Sequence, residues 1–376
     1  MVKYVDLPDI MFAEEDAIAI QENIITVYEV LADRTLQPTD PVRLFLNSLA
    51  AIIVQQQVLI NRTAKGNLLR YASGELLDHI GAFQGSERLP ASVAITTLQF
   101  TLFIPLSSAT PVPAGTRVGV QGGEGSIYFS TTEYLEIPAG ATTGVVTAEC
   151  SAAGTVGNGF IPGQINVLMD QMPFVQAVSN LTASSGGAEV ETDEAFKERI
   201  RTAPESYSTA GPKGAYEFWA KSTSAAIQDV YAYSPEAGMV TIVPLLAGGQ
   251  IPGQDVLDAV AETLEDRGIR PLTDQVTVEA PAPVEYNTIL TYYISRRRAA
   301  EVPTIQLAVT AAVGAYQAWQ RSKLGRDINP SELIARVMAA GALRVVINAP
   351  TYTELNMTQI AQDNPATVTY GGLADD

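Results

Sequence analysis

VYAYSPEAGMVTIVPLLAGGQIPGQDVLDAV, residues 230–260, decides how the second half of the chain is read. Two β-rich runs flank Pro235-Glu236-Ala237-Gly238, a turn-forming tetrad, and this predicts a hairpin. The helix that follows carries Val256, Val260 and Leu264 on one face and is predicted to stop at Gly268. QVTVEAP (275–281) then reads as a strand. Upstream, ETDEAFKERIRTA (191–203) starts a helix at Thr192 to Ala195, with acids in its first turn that suit the helix dipole. GPKGAYEFWAKS (211–222) is a second short helix. The order is helix, strand, strand, helix, strand.

The last segment partly repeats that order. VEYNTILTYYIS (284–295) reads as one strand, and VPTIQLAVTAAVGAYQAWQRSKLG (302–325) as a long helix. NPSELIARVMAAG (329–341) is a helix opened by Pro330 and closed by Gly341, and ALRVVINAP and ATVTYGG are strands. Two consecutive α+β domains of ferredoxin-like character are the economical reading.

Residues 91–185 differ. Thr, Val, Ile and Phe dominate, broken by Gly and Pro, with strand-like runs AITTLQFTLFI, SIYFSTT, YLEIPAG and TTGVVTAEC. This predicts a small antiparallel β domain, a barrel or sandwich. Residues 1–90 read as three amphipathic helices. In the second, Asp40 is the N-cap and Pro41 the first helical residue. Val42, Phe45, Leu49, Ile52, Ile53, Leu59 and Ile60 follow on a wide face, with Leu44, Leu46 and Val54 outside it. A helix apolar nearly all round has to be covered on several sides, by its own chain or by others. The expected fold class is α+β and multidomain. Its parts are a helical bundle region (1–90), a β domain (91–185), a first α+β domain (186–282) and a second, ring-forming one (283–376). SSGG (184–187) and APAP (280–283) read as bendable linkers.

Composition narrows the function. The chain has 376 residues, 47% apolar and 17% charged, with a formal charge of −18. That balance argues against nucleic acid and against an anionic membrane surface as partners. Residues 291–376 hold eight basic and seven acidic residues, whereas 91–190 hold one and six. Such asymmetry suits a protein whose faces meet different neighbours. The longest contiguous apolar run, Leu49 to Val54, is far short of a bilayer span, so no membrane insertion is expected. The start MVKYVDLPDI lacks a signal-peptide core, which points to synthesis in a cytoplasm.

A catalytic constellation is hard to find. His79 is the sole histidine and Cys150 the sole cysteine, so a disulfide within the chain and a His- or Cys-based zinc cluster are excluded. His79 lacks an evident orienting partner and reads as structural or exposed. QGGEGS (121–126) and GTVGNG (154–159) lack the context of phosphate-binding loops and read as turns. Asp255, Asp258, Glu262, Glu265 and Asp266 sit at helical spacing opposite an apolar face, the pattern of a solvated surface and not of a glycosidase pair. No cofactor or metal is expected. Arg296-Arg297-Arg298, directly after a predicted strand, is the one basic run, and it suits docking on an acidic face of a neighbouring copy or partner.

Several phrases taken together resemble one family: ASGELLDHIGAFQGSERLPAS (72–92), PAGTRV (113–118), GTVGNG, GGAEVETDEAFKERIRTAPESYSTAGPKGAYEFWA (186–220) and VYAYSPEAGMVTIVPL (230–245). In this order they are similar to the baseplate J-like family, the baseplate wedge proteins of contractile phage tails, R-type bacteriocins and related injection machines. The resemblance spans roughly 70–370. It implies a structural subunit without catalytic residues. The helical N-terminal part would pack with a second copy and a smaller partner wedge protein. The later domains would join a ring around the central hub and spike, beneath sheath-proximal proteins, and that ring would rearrange to release sheath contraction. Leu44, Phe45, Leu49, Ile52, Ile53 and Leu59, with the three arginines, are the expected interface residues. A tail-associated carbohydrate-binding adhesin, or a cell-wall hydrolase, is the competing expectation.

Overall fold

The computed structural model describes residues 7–122, 127–207, 212–265, 269, 271 and 273–375. The chain divides into two compact units: residues 1–88 with 192–203, and residues 89–191 with 204–376.

The first unit holds α1 (Ala17–Ala32), α2 (Pro41–Gly66), α3 (Gly74–Phe83) and α4 (Asp193–Thr202). Their starts follow local rules. The Asp16 carboxylate accepts from the Ile18 and Ala19 N–H groups, Asp40 from Val42, and the Thr192 hydroxyl from Ala195. Helices α1 and α2 pack through Ile25, Leu36 and Leu46. Helix α4 is a correction to the reading above, which put it at the head of the first α+β domain. It packs with α3, burying Phe196 and Ile200 against Ala72 and Leu77. Arg88 ties the two helices, bonding Asp78 at 2.9 Å and Asp193 at 2.8 Å. The reason is sidedness: the apolar stripe of α4 fits the α3 face, a match that α4's sequence alone does not specify.

In the second unit a six-stranded antiparallel sheet curls into a barrel. Its strands are β1 (Val93–Leu102), β3 (Arg117–Val120), β4 (Tyr128–Thr131), β6 (Thr143–Ala153), β7 (Ile165–Leu168) and β8 (Val175–Asn180). Their order is β7-β3-β4-β6-β1-β8, and a side ribbon pairs β2 (Thr110–Val112) with β5 (Leu135–Ile137). The two edges meet at Asn180, which accepts from the Ile165 N–H at its side chain and from the Gly163 N–H at its carbonyl. Strict alternation in β1 sends Leu98, Phe100 and Leu102 inward to join Val118, Phe129, Ile137 and Ile165. The edge strands β7 and β8 and the short β3 carry too few residues for a period to show in the sequence.

The first α+β domain is α5 (Lys213–Ser222), β9 (Ile227–Tyr233), β10 (Met239–Leu246), α6 (Gln254–Glu265) and β11 (Gln275–Val278). The hairpin forms as read, with Gly238 at φ +81° closing its turn. Gly268 and Asp266 lie outside the described residues. The second is β12 (Ala282–Tyr286), β13 (Ile289–Ser295), α7 (Val302–Gln320), α8 (Pro330–Ala339), β14 (Arg344–Ala349), β15 (Gln359–Asp363) and β16 (Thr367–Ala374). The fold is thus mixed α+β and multidomain. Each later domain sets two helices beside a three-stranded mixed sheet, β11-β10-β9 and β14-β13-β16, an abbreviated form of the ferredoxin-like pattern. The run 284–295 is two strands, not one. Strand β12 pairs parallel with β15 and β13 parallel with β16, and the change of partner falls at Asn287–Thr288.

Candidate functional site

The residues expected to meet other chains lie on α2, a helix whose geometry is set from both ends. Pro41 fills its first position and Arg34 pairs with the capping Asp40. The Arg43 guanidinium donates to the Leu36 carbonyl at 3.0 Å, and the Leu36 N–H donates to Glu29 at 2.7 Å, which fixes the α1–α2 turn. Near the far end the Asn61 amide is buried. Its oxygen accepts from the Phe12 and Ala13 N–H groups at 2.7 and 2.9 Å, and its nitrogen donates to the Ala13 carbonyl at 2.7 Å and to Glu15 at 2.6 Å. A buried amide with this many partners is satisfied and holds the N-terminal segment against the helix.

Between these anchors the apolar surface stays open. Of the 26 residues of α2, those buried are Leu46, Ala50, Asn61 and Gly66. Leu44, Phe45, Leu49, Ile52, Val58, Leu59 and Ile60 are exposed, Phe45 to 65%, while Ile53 is half-buried. On α1, Val30 and Leu31 are more exposed still, and Phe83 at the end of α3 reaches 87%. Covering the open half of each α2 side chain is worth on the order of 1 kcal/mol apiece. The structure therefore gathers the six expected α2 residues on one helix and leaves five of them uncovered. It also leaves open Val30, Leu31 and Phe83; Leu31 and Phe83 belong to the apolar periodicity of their helices, but a stripe does not reveal which side its own chain covers. One correction concerns length. Among the described residues α2 alone is long and apolar enough to cross a membrane by length and composition, a property that Arg43, Asn47 and Gln55–Gln57 hide from a count of contiguous apolar residues.

The arginine run lies elsewhere, directly after β13 as expected, in a 3-10 stretch over residues 296–301. Arg296 bonds Asp375 at 2.7 Å, and Arg298 bonds Glu301 at 2.7 Å and the Gly341 carbonyl at 3.4 Å. These hydrogen bonds draw the Asp375 and Glu301 carboxyls below their ordinary range. Arg296 and Arg298 are thus engaged within the chain, Arg296 because the parallel β13–β16 pairing delivers Asp375 to the end of β13.

The other residues that the sequence singles out lie in separate elements. His79 is exposed. Cys150 is buried in the barrel, and a Cβ at Gly157 would come 2.6 Å from its sulfur. Asp258, Glu262 and Glu265 are exposed on α6; Asp255 beside them is pushed up by burial and by Asp258. Among the described residues no three His, Cys, Asp or Glu side chains converge as a metal site. GTVGNG is a 3-10 turn flanked by Gly154 and Gly159 in the left-handed region, and residues 123–126 of QGGEGS lie outside the described residues.

A chain of barrel and α+β domains that also carries an open apolar helix face is what a subunit of a larger assembly presents. Family models match in the same order as the domains: the Baseplate J-like protein barrel domain over 97–187, the Baseplate J-like central domain over 208–280 and the Baseplate J-like protein C-terminal domain over 290–369. The chain belongs to the baseplate J-like family. It is 33% identical over 187 residues to baseplate protein J of Escherichia phage P2, a match covering 49% of this chain and 61% of that protein. It is 27% identical over 216 residues to the uncharacterized protein YqbT of Bacillus subtilis strain 168, covering 56% of each. The matches thus span less than two thirds of either relative. The cryo-EM structure of the anti-feeding prophage baseplate, 6-fold symmetrised, superposes with a TM-score of 0.34 at 14% identity, covering 93% of this chain and 90% of that one; a likeness this loose carries no argument.

Proposed function

We propose that this chain is a structural wedge subunit of a contractile-tail or injection-machine baseplate. It works through surfaces and not through bond-making chemistry. Its α2 face packs against a second copy and a smaller partner wedge protein, and its later domains join a ring around the hub and spike, below the sheath. The ring's rearrangement releases contraction, and its working parts are the helical region with residues 192–203, the β domain and the two α+β domains. The observation that carries this reading is the open apolar face of α2, on a helix with both ends tied to its own chain. The pairing of Arg296 and Arg298 within the chain leaves them a secondary role in assembly.

The test is light scattering of the full chain alone and with the proteins of the adjacent tail genes. A stable hetero-complex is expected. Phe45→Ser with Leu49→Ser is expected to abolish it while leaving the fold intact, since both side chains face solvent. A monomer under all these conditions refutes the proposal, as does flotation of the chain on phosphatidylcholine–phosphatidylglycerol vesicles through α2. One observation favours an adhesin instead: Phe103, Tyr134 and Phe174 are exposed at barrel loops, Phe174 with φ +69°. Polysaccharide binding by the isolated chain, lost in Phe174→Ala, would support that second reading.

A further inference from the structure

The two segments that look like linkers are both tied down. Ser184 donates through its backbone N–H to the Phe160 carbonyl at 3.0 Å and through its hydroxyl to the Gly157 carbonyl at 2.6 Å. The same hydroxyl accepts from the Phe160 N–H at 3.0 Å, and the Ser184 carbonyl accepts from Gly159. Ser185 exchanges both backbone bonds with Ile95. The Asn158 side chain grips Gly187 twice, accepting from its N–H at 2.9 Å and donating to its carbonyl at 2.8 Å. A Cβ at Gly187 would collide with the Gly154 carbonyl. GTVGNG and SSGG are thus two halves of one clasp.

The other side of that strip belongs to the next domain. A Cβ at Gly186 would stand 3.2 Å from Val256 on α6, and Ala188 lies in the same core as Tyr216, Ala226 and Val256. The barrel and the first α+β domain share the strip as a common spline. A cleft of about 230 Å³ remains beside it, lined by Thr155, Asn158, Ala226 and Gln250 among others.

The second junction is closed in the same manner. The Glu279 N–H donates to the Ile242 carbonyl at 2.9 Å and the Ala282 N–H to the Thr358 carbonyl at 3.0 Å, so the chain is bonded just before APAP and again within it, where β12 begins to pair with β15. Strand β10 is buried on both faces: Ile242 and Leu246 face α5 and α6, while Val243 and Leu245 meet Leu324 and Ile360 of the following domain. The Leu324 N–H donates to Asp229 at 3.1 Å, and the Gln362 amide donates to the Gly249 carbonyl at 2.8 Å. A working hinge needs solvated backbone with few buried contacts, and neither junction has it.

We infer that the barrel and the two α+β domains form one rigid body, and that SSGG and APAP are locks and not hinges. Whatever rearrangement this chain undergoes leaves the angles among these three domains unchanged. The inference stands whether or not the wedge reading holds, because it concerns the free chain.

Cys150 is buried, so introduced thiols label selectively. Spin labels at Glu133→Cys with Glu236→Cys, and at Glu236→Cys with Glu354→Cys, should each give one narrow distance distribution in the full-length chain, the same alone and in any assembly it joins. Hydrogen exchange at Gly187 and Ala282 should run at least a hundredfold slower than at an exposed turn. Asn158→Ala should broaden the first distribution and speed exchange at Gly187 at least tenfold; should that variant fail to fold, Ser184→Ala serves at the same clasp. Broad or shifted distances in the unaltered chain, or fast exchange at either junction, would overturn the inference.

Discussion

Replacing Phe196 by alanine tests the least obvious feature of the architecture, the membership of α4 in the helical unit. Phe196 is fully buried, packed on Ala72, Leu77 and Ile200. The Arg88 and Arg199 guanidinium carbons lie over its ring, 5.0 and 5.1 Å from the centroid. Removing a buried phenylalanine costs about 3–5 kcal/mol, and the two cation–π contacts push the loss toward the upper end. The helical unit comprises 88 residues (1–88) and 12 more (192–203), 100 in all. At that size each kcal/mol moves the melting temperature by about 4–8 °C, so a loss near 4 kcal/mol lowers it by roughly 16–32 °C. Differential scanning calorimetry of the whole chain should therefore resolve an early transition in Phe196→Ala, with the main transition in place. Trypsin should then cut within 1–88 first. If the region around α5 and α6 melted first, or if the whole chain shifted as one transition, α4 would belong with the first α+β domain and the reasoning would be wrong.

Gly81→Ala should weaken the same core by about 1–3 kcal/mol in urea melts, since a Cβ there would collide with the Phe196 ring and stand 2.7 Å from the Ser86 carbonyl. The Gly74 N–H and the Arg88 guanidinium hold the Asp193 carboxyl below its usual range. A carboxyl held low stabilises the fold at neutral pH. That contribution fades as pH falls from the unfolded value near 3.8 through the lower folded one, so the helical unit should melt earlier in acid and Asp193→Asn should flatten the dependence. In the second α+β domain the Tyr316 hydroxyl is buried with no partner and burial pushes it up to about 12. Here the folded value lies above the unfolded 10, so stability is full below pH 10 and is lost as pH rises through 12, readable as delayed tyrosinate absorbance. Tyr316→Phe should leave stability unchanged or raise it by up to about 1 kcal/mol; a drop larger than that would mean that the hydroxyl is bonded to a trapped water.

Sequence alone determined the kind of each main element and most of its ends. Asp40–Pro41, Thr192 and the Pro235–Gly238 turn act through bonds a few residues long, so their reading needs no partner. The apolar character of Leu44, Phe45, Leu49, Ile52 and Leu59 was likewise plain, as was the family, whose phrases keep their order along the chain. Tertiary structure decided what each element meets. That α4 returns to α3, that 284–295 splits between β15 and β16, that Arg296 finds Asp375 and that SSGG is gripped by Asn158 are all facts of contacts between residues far apart in sequence. The physical reason is that hydrogen-bond capacity and apolar area are local properties, whereas their partners are selected by how whole faces fit together.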